Sequence, residues 1–478
     1  MLTRPLGTAL YCINKEAEYS GIYHDGEPFC TLQICIQKKR LFQALWRRQE
    51  KFKLGVVTMK ILKQPEKKTY ERDAQLTKTV VDIIDNVRTN GDQALVEYAA
   101  KFDKMDIQTV RVDPEEVRAA YGKVDSETLE AIKFSAGQIR FFAEKQRECL
   151  KDLDIQSQVP GLEIGHRMVP VERCGCYVPA GRHPLPSSAL MGVVTAKVAG
   201  VKQVAACSPA FPGCGSIHPA VLVAMDIAGA DEIYRMGGAQ AVAAFAYGTQ
   251  TVKKVDLIVG PGNRFVTEAK RQVLGDVGID SLAGPSEVLV LADETADPTF
   301  VAIDLLGQAE HDPNAKPILV CTSQSVIDRA MVELERLLPT LETREVAAQS
   351  WKDNGAIYLA DSIDEAIAIS NDIAPEHLEV QVENEREVAK QLLHYGSMFV
   401  GHYAPVAFGD FVSGPNHTLP TMRTARYSNG VWVGTFIKTP FHQFVSKEGC
   451  LNLARHCMRF AEVEGLQAHR DSVKIRLG

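Results

Sequence analysis

From about residue 59 to residue 159, apolar positions recur every three or four residues. The run YERDAQLTKTVVDIIDNVRTNGDQALVEYAAKFD (Tyr70 to Asp103) shows the spacing of helices with one buried face. Asn90-Gly91-Asp92 breaks the run into two helices joined by a turn. A helical N-terminal layer is predicted. Beyond it the period changes. Short β-branched runs alternate with amphipathic stretches: VKQVAAC from Val201, EIYRM from Glu232, VDLIVG from Val255, EVLVLAD from Glu287, PILVCT from Pro317, AIYLAD from Ala356 and SMFVG from Ser397. Nearly continuous apolar runs fit strands buried on both faces, and their alternation with helices predicts βαβ units and parallel sheets. The predicted class is α/β, with two Rossmann-like doubly wound domains between helical N-terminal and C-terminal segments.

Length supports more than one core, since 478 residues exceed what a single compact domain buries. The net charge of -7 excludes a surface built to neutralise phosphates, so a small-molecule partner is expected and nucleic acid is not. The charge is unevenly spread. Residues 1–58 hold nine Lys/Arg against five Asp/Glu, a balance of +4 that leaves -11 for the remainder. Within them KKRLFQALWRRQEKFK could form a basic amphipathic helix on a membrane or a partner. Alternatively the fold begins at Met59 and the preceding residues are an extension without a fold of their own. No apolar run reaches the roughly 18 residues of a membrane span. The eleven cysteines are scattered, with Cys174 and Cys176 closest and no C-x-x-C repeat, which predicts reduced thiols in a cytoplasmic protein.

Three segments carry candidate chemistry. In DPTFVAIDLLGQAEHDP, Asp297 can cap a helix, Pro298 fits its first turn and Pro313 stops it, which places Gln308 and His311 on one face near its end. An imidazole is a good zinc ligand and an amide oxygen a weaker one. Such a pair is commonly only a solvated one. In FGDFVSGPNHTLPT, Asp410 and His417 occupy a Gly/Pro-punctuated loop after the SMFVG strand, and loops beyond the carboxyl ends of parallel strands are where these folds place sites. In IAPEHLEV, Glu376 and His377 stand together at the start of an alternating strand, where a carboxylate and an imidazole can act as general base and general acid. MGGAQAVAAFAYG, VGPGNRFVTEAK and AGPSEVLVLAD place glycines beside small polar residues at strand junctions. That suits a close backbone approach to phosphate or ribose, or simple turns, since none is a G-x-G-x-x-G fingerprint.

GPGNRFVTEAKRQV, AGPSEVLVLAD, DLLGQAEHDP, APEHLEV, GPNHTLPT and EGLQAH, in this order, closely resemble the histidinol dehydrogenase family from about Met59 to the C-terminus. The resemblance implies a cytoplasmic enzyme with one Zn2+ per subunit that oxidises L-histidinol through L-histidinaldehyde to L-histidine, reducing two NAD per turnover. It implies zinc ligands Gln308, His311, Asp410 and His469, and an acid-base pair of Glu376 and His377. Substrate contacts would come from those ligands and His377 together with Ser286, His417 and Glu464, and NAD contacts from Tyr177, Gln240 and Asn263. The implied domains are 59–176 with 286–431, 177–285, and a C-terminal helical segment 432–478 that reaches across a homodimer to complete the partner's site.

Some segments depart from that pattern. GDF at Gly409 to Phe411 replaces the usual GDY, and NGVWVG from Asn429 stands where SGLSV is usual. Ala180 in VPAG and the VAFGD run from Val406 look more like the sulfopropanediol dehydrogenase branch. A sulfonated diol would require cationic donors such as Arg182 or His183. A metal-stabilised scaffold without turnover is a third reading, and the intact Glu376-His377 pair speaks against it.

Overall fold

The computed structural model of the chain describes residues 60–65, 73–180 and 183–478; residues 1–58 and Arg182 lie outside them. The chain starts with β1 (Lys60–Lys63) and continues through helices Ala74–Asn90, Asp92–Tyr98, Pro114–Tyr121 and Ser126–Glu148. Asp73 caps the first of these, and Gly91, at φ +56°, makes the turn expected at Asn90-Gly91-Asp92. Helix was expected to run on to about Val159. Instead β2 (Leu153–Gln156), β3 (Leu162–His166) and β4 (Val169–Pro170) follow. Every residue of β2 is exposed, so no buried face marks it in the sequence.

A parallel five-stranded sheet comes next, built from β5 (Arg173–Tyr177), β6 (Gln203–Ser208), β7 (Glu232–Arg235), β8 (Leu257–Val259) and β9 (Gly278–Ile279) in the order β7-β6-β5-β8-β9. The second parallel sheet holds β10 (Glu287–Ala292), β11 (Lys316–Cys321), β12 (Ala356–Leu359), β13 (His377–Gln381) and β14 (Ser397–Val400) in the order β12-β11-β10-β13-β14. β1 adds to β12 as an antiparallel edge. Last, β15 (Ile437–Lys438) pairs with β4 and β16 (Phe441–Val445) with β3, before helices Lys447–Val463 and Gln467–Ile475.

The seven apolar runs form strands, and β10 is buried along its whole length. β5 was not expected as a strand, because RCGCY mixes small and polar residues; Gly175 is needed there, since a Cβ would meet the Phe245 ring at 2.6 Å. The helical layer also sits differently from expectation. Residues 59–176 were grouped with 286–431, but only β1 joins that sheet. Val80, Ile84, Val87 and Leu95 pack with Phe245 and Tyr234 on one face of the five-stranded sheet, and Ile132, Ala136 and Ile139 with Leu190 and Met225 on the other. The apolar stripes of these helices are matched by that sheet's own helices, which are apolar on nearly every side. No described helix is long and apolar enough to cross a membrane, and the eight described cysteines are free.

Candidate active site

His377 is the first residue of β13 and lies in register with Val288 on β10. This puts Glu376 and His377 against the main chain of Glu287. The Glu287 N–H donates to Glu376 Oε2 at 2.8 Å, and the Glu287 carbonyl lies 3.0 Å from His377 Nδ1. A carbonyl only accepts, so Nδ1 carries the hydrogen and Nε2 bears the lone pair of the neutral ring. Nε2 is buried without a hydrogen-bond partner and stands 3.6 Å from Asp410 Oδ1. One backbone residue therefore aims both side chains.

Burial pushes the Glu376 carboxyl up to about 7. Burial would lower His377, but the charges of Glu376 and Asp410 overcome it and raise the imidazole to about 9. Asp410 is the reverse case. Burial would raise it, yet His377, with His417 and His311 beyond, holds it below the usual carboxylate range. The Glu376 carboxyl can thus exchange protons near neutral pH, as general acid-base chemistry requires, while the His377 imidazole holds its proton there.

Helix Pro298–Ala309 supplies the next groups. Asp297 caps it by accepting from Thr299 and Phe300 N–H, with Pro298 in the first turn. The helix ends at Ala309, so His311 stands in the turn just beyond, its N–H donating to the Gln308 carbonyl at 3.3 Å. Gln308 is buried, its amide nitrogen unpaired, and His311 is exposed. His417 donates from Nδ1 to the Asp410 carbonyl (2.9 Å) and accepts at Nε2 from Ser188 Oγ (3.2 Å); burial lowers its pKa and keeps it neutral. Ser286 immediately precedes β10.

These residues collect at the amino ends of β10 and β13, not at carboxyl ends as the loop argument predicted. The reason is topological: a helix joining two parallel strands returns its C-terminus to the edge where the strands begin, and this helix brings Gln308 and His311 with it. Glu464 and His469 are not brought to the cluster. Both are exposed on the C-terminal segment, which packs on β16. His183 is exposed as well.

Among the described residues no three His, Cys, Asp or Glu side chains form a metal-binding group. The donors that are present nevertheless fit a cation. A buried polar group without a partner costs about 1–3 kcal/mol, and the Gln308 amide is one such group. Either end of the Gln308 amide can face the ion.

Tyr177, Gln240 and Asn263 gather at the carboxyl edge of the five-stranded sheet. Tyr177 ends β5, and its buried hydroxyl accepts from the Gly238 N–H at 3.2 Å. Gln240 is buried in the first turn of helix Gly238–Tyr247, and Asn263 caps helix Arg264–Val273. Sequence reasoning missed the clamp beneath this edge: Lys270 pairs with Asp280, donates to the Gly260 carbonyl at 3.0 Å, and Asp280 accepts from Gly260 N–H at 2.8 Å. Lys270 shares an apolar helix face with Val266, Ala269 and Val273, a misplaced charge the sequence does reveal.

The histidinol dehydrogenase family matches residues 66–477. A histidinol dehydrogenase of Methanococcus maripaludis is 48% identical over 399 residues, covering 84% of this chain and 93% of its own. That of Clostridium acetobutylicum is 43% identical over 406 residues, covering 85% and 93%. A crystal structure of histidinol dehydrogenase from Elizabethkingia anophelis superposes with a TM-score of 0.81 at 37% identity, covering 87% of this chain and 94% of that one.

Proposed function

The chain belongs to the histidinol dehydrogenase family of NAD-dependent dehydrogenases, and from that premise we propose that it oxidises L-histidinol to L-histidine through bound L-histidinaldehyde with zinc and two NAD. The observation that carries this reading is the grip of Glu287 on both Glu376 and His377, with Asp410 facing the free Nε2.

His377 Nε2 takes the alcohol proton, because Nδ1–H is committed to the Glu287 carbonyl. Glu376 and Asp410 are the two charges that hold the His377 proton, and a cation bound at Asp410 would weaken one of them. Glu376, at about 7, then removes a proton from the water that attacks the aldehyde carbon. His417 and Ser286 would orient the substrate. Gln308, His311 and Asp410, with His469 from a second chain, would hold zinc, which positions the substrate and polarises its oxygen. Tyr177, Gln240 and Asn263 would hold NAD, which would accept the hydride.

A homodimer follows from the same reading. Glu464 and His469 project from a segment whose Phe460, Val463 and Ile475 are 70%, 71% and 78% exposed, as expected of a face a second copy covers. The two parallel sheets with their helices are read as the two Rossmann-like domains, one built on β5 to β9 and the other on β10 to β14, in a cytoplasmic protein.

The deciding experiment follows NADH production with L-histidinol and, in parallel, 2,3-dihydroxypropane-1-sulfonate, each repeated after chelation. Chelator-sensitive turnover of histidinol, with two NADH per substrate, is expected. Turnover of the sulfonate alone would refute the substrate assignment.

A further inference from the structure

β13 reads HLEVQ, an alternation that should put every second side chain in water, yet all five residues are buried. Glu379 and Gln381 are 1% and 3% exposed. They face helix Pro298–Ala309, where they meet Asp304. Gln381 Nε2 donates to Asp304 Oδ2 at 2.9 Å and to Glu379 Oε2 at 3.2 Å, and Asp304 and Glu379 are hydrogen-bonded to each other. Two buried carboxyls in contact cannot both be charged. Glu379 keeps the proton, held there by burial and by the Asp304 charge.

The other Glu379 oxygen, Oε1, accepts from the Val406 N–H at 2.9 Å. Val406 opens helix Val406–Phe411, which carries Asp410 four residues on. The cluster therefore joins three segments. Asp304 is one helical turn before Gln308, Glu379 is two residues after His377 on the same strand face, and Val406 is one turn before Asp410. An apolar contact would fasten these elements without burying two acids, so a merely structural role does not explain the choice.

We propose that Glu379, with Asp304 and Gln381, is a positioning cluster that sets the spacing of Gln308, His377 and Asp410 and so governs cation affinity and proton transfer at the site. The proposal rests on the reading of these residues as a zinc-dependent active site.

The test compares full-length wild type with Glu379→Leu, Glu379→Gln and Val406→Pro. Leu fills the space but makes neither bond. Gln can donate to Asp304 and accept from Val406 N–H. Pro removes the Val406 N–H, keeps an apolar ring where the valine packs against the core, and suits the first turn of a helix, particularly after Pro405 with its ψ of 153°. Metal-stripped proteins are titrated with zinc against a chromophoric chelator, and kcat and both KM values are measured after reloading. Glu379→Leu and Val406→Pro should bind zinc about 10–100-fold more weakly and lose kcat by a similar factor, with KM for NAD unchanged. Glu379→Gln should recover both. Thermal unfolding of the metal-free proteins identifies any variant that has not folded, and Val406→Pro, which leaves the buried acids intact, then decides. Folded variants with wild-type zinc affinity and kcat overturn the positioning role. Wild-type turnover of histidinol without zinc overturns the underlying reading instead.

Discussion

Replacing Gly260 by alanine tests whether the GPGN loop and the end of β5 form one nucleotide surface. Gly260 sits at φ +122°, and a Cβ built there lies 2.1 Å from the Tyr177 carbonyl oxygen. Ordinary contact begins at 3.4 Å, so the two must separate by 3.4 − 2.1 = 1.3 Å. The loop has no easy retreat, because its N–H and carbonyl are tied to the side chains of Asp280 and Lys270, each side chain 3% exposed. The displacement therefore falls between Tyr177 and Asn263. A misplacement of about 1 Å can cost about 100-fold, and a similar loss is expected in kcat/KM for NAD. Strain at positive φ adds about 1–2 kcal/mol of destabilisation. Gly213→Ala separates the two effects, since Gly213 is at φ +79° with nothing within 4 Å of its Cβ. Calorimetric titration with NAD and steady-state kinetics read the result, with zinc affinity and KM for L-histidinol unchanged. A folded Gly260→Ala protein that binds NAD like wild type would refute the assignment of Tyr177 and Asn263 to one surface.

Glu376→Gln should lower overall kcat by about 100- to 10,000-fold while still releasing the first NADH, because the second oxidation needs the activated water; the NADH yield per histidinol in a single turnover checks this. The pH profile should follow the same group: with its carboxyl raised to about 7, the second oxidation gains rate as pH rises through 7, and Glu376→Gln should abolish that rise. His377, raised from 6.5 to about 9, favours the protonated folded state, so its contribution to stability is full below pH 6.5 and lost as pH climbs through 9. Denaturant melts of metal-free wild type and His377→Gln between pH 6 and 9.5 should diverge only at the lower end. Mixed Glu376→Gln and His469→Asn proteins should regain about a quarter of wild-type activity after subunit exchange, since half of the dimers are mixed and each has one intact site. Activity that stays at the level of either parent would show that His469 serves its own chain.

How far the sequence reveals this fold depends on what each element buries. β10 and β11 could be read directly, because strands covered on both faces leave continuous apolar runs. β2 could not, since an exposed strand has no burial pattern to show. β13 misleads: its alternation signals one wet face, but there Glu379 and Gln381 are covered by Asp304 of helix Pro298–Ala309, a tertiary pairing of polar groups that no local period encodes. Within the site, Glu376 and His377 stand out because side-chain chemistry must be spelled in residue types. Glu287 does not, because it acts through its N–H and carbonyl, which every residue but proline possesses.

The choice of opposite sheet edges has a physical logic. The five-stranded sheet presents its carboxyl edge, where helices begin: Gly238 opens one helix, Asn263 caps another, and Ser188 lies in the first turn of helix Pro186–Ala199. Helix N-termini offer free N–H groups and positive potential, which suits the phosphates of a dinucleotide. The six-stranded sheet presents its amino edge, where helix Pro298–Ala309 ends. Helix C-termini carry negative potential and free carbonyls, which suit a cation, and Gln308 and His311 stand at that end. The two edges are joined where Ser188 Oγ meets His417 Nε2 and Gly284 N–H meets Thr421 Oγ1. A reaction that passes hydride from an alcohol held by a metal to a nicotinamide needs an anion site and a cation site within reach of one substrate. Setting a carboxyl edge beside an amino edge supplies both polarities from the backbone before any charged side chain is added, and on the proposed reading leaves Glu376 and His377 free for proton transfer.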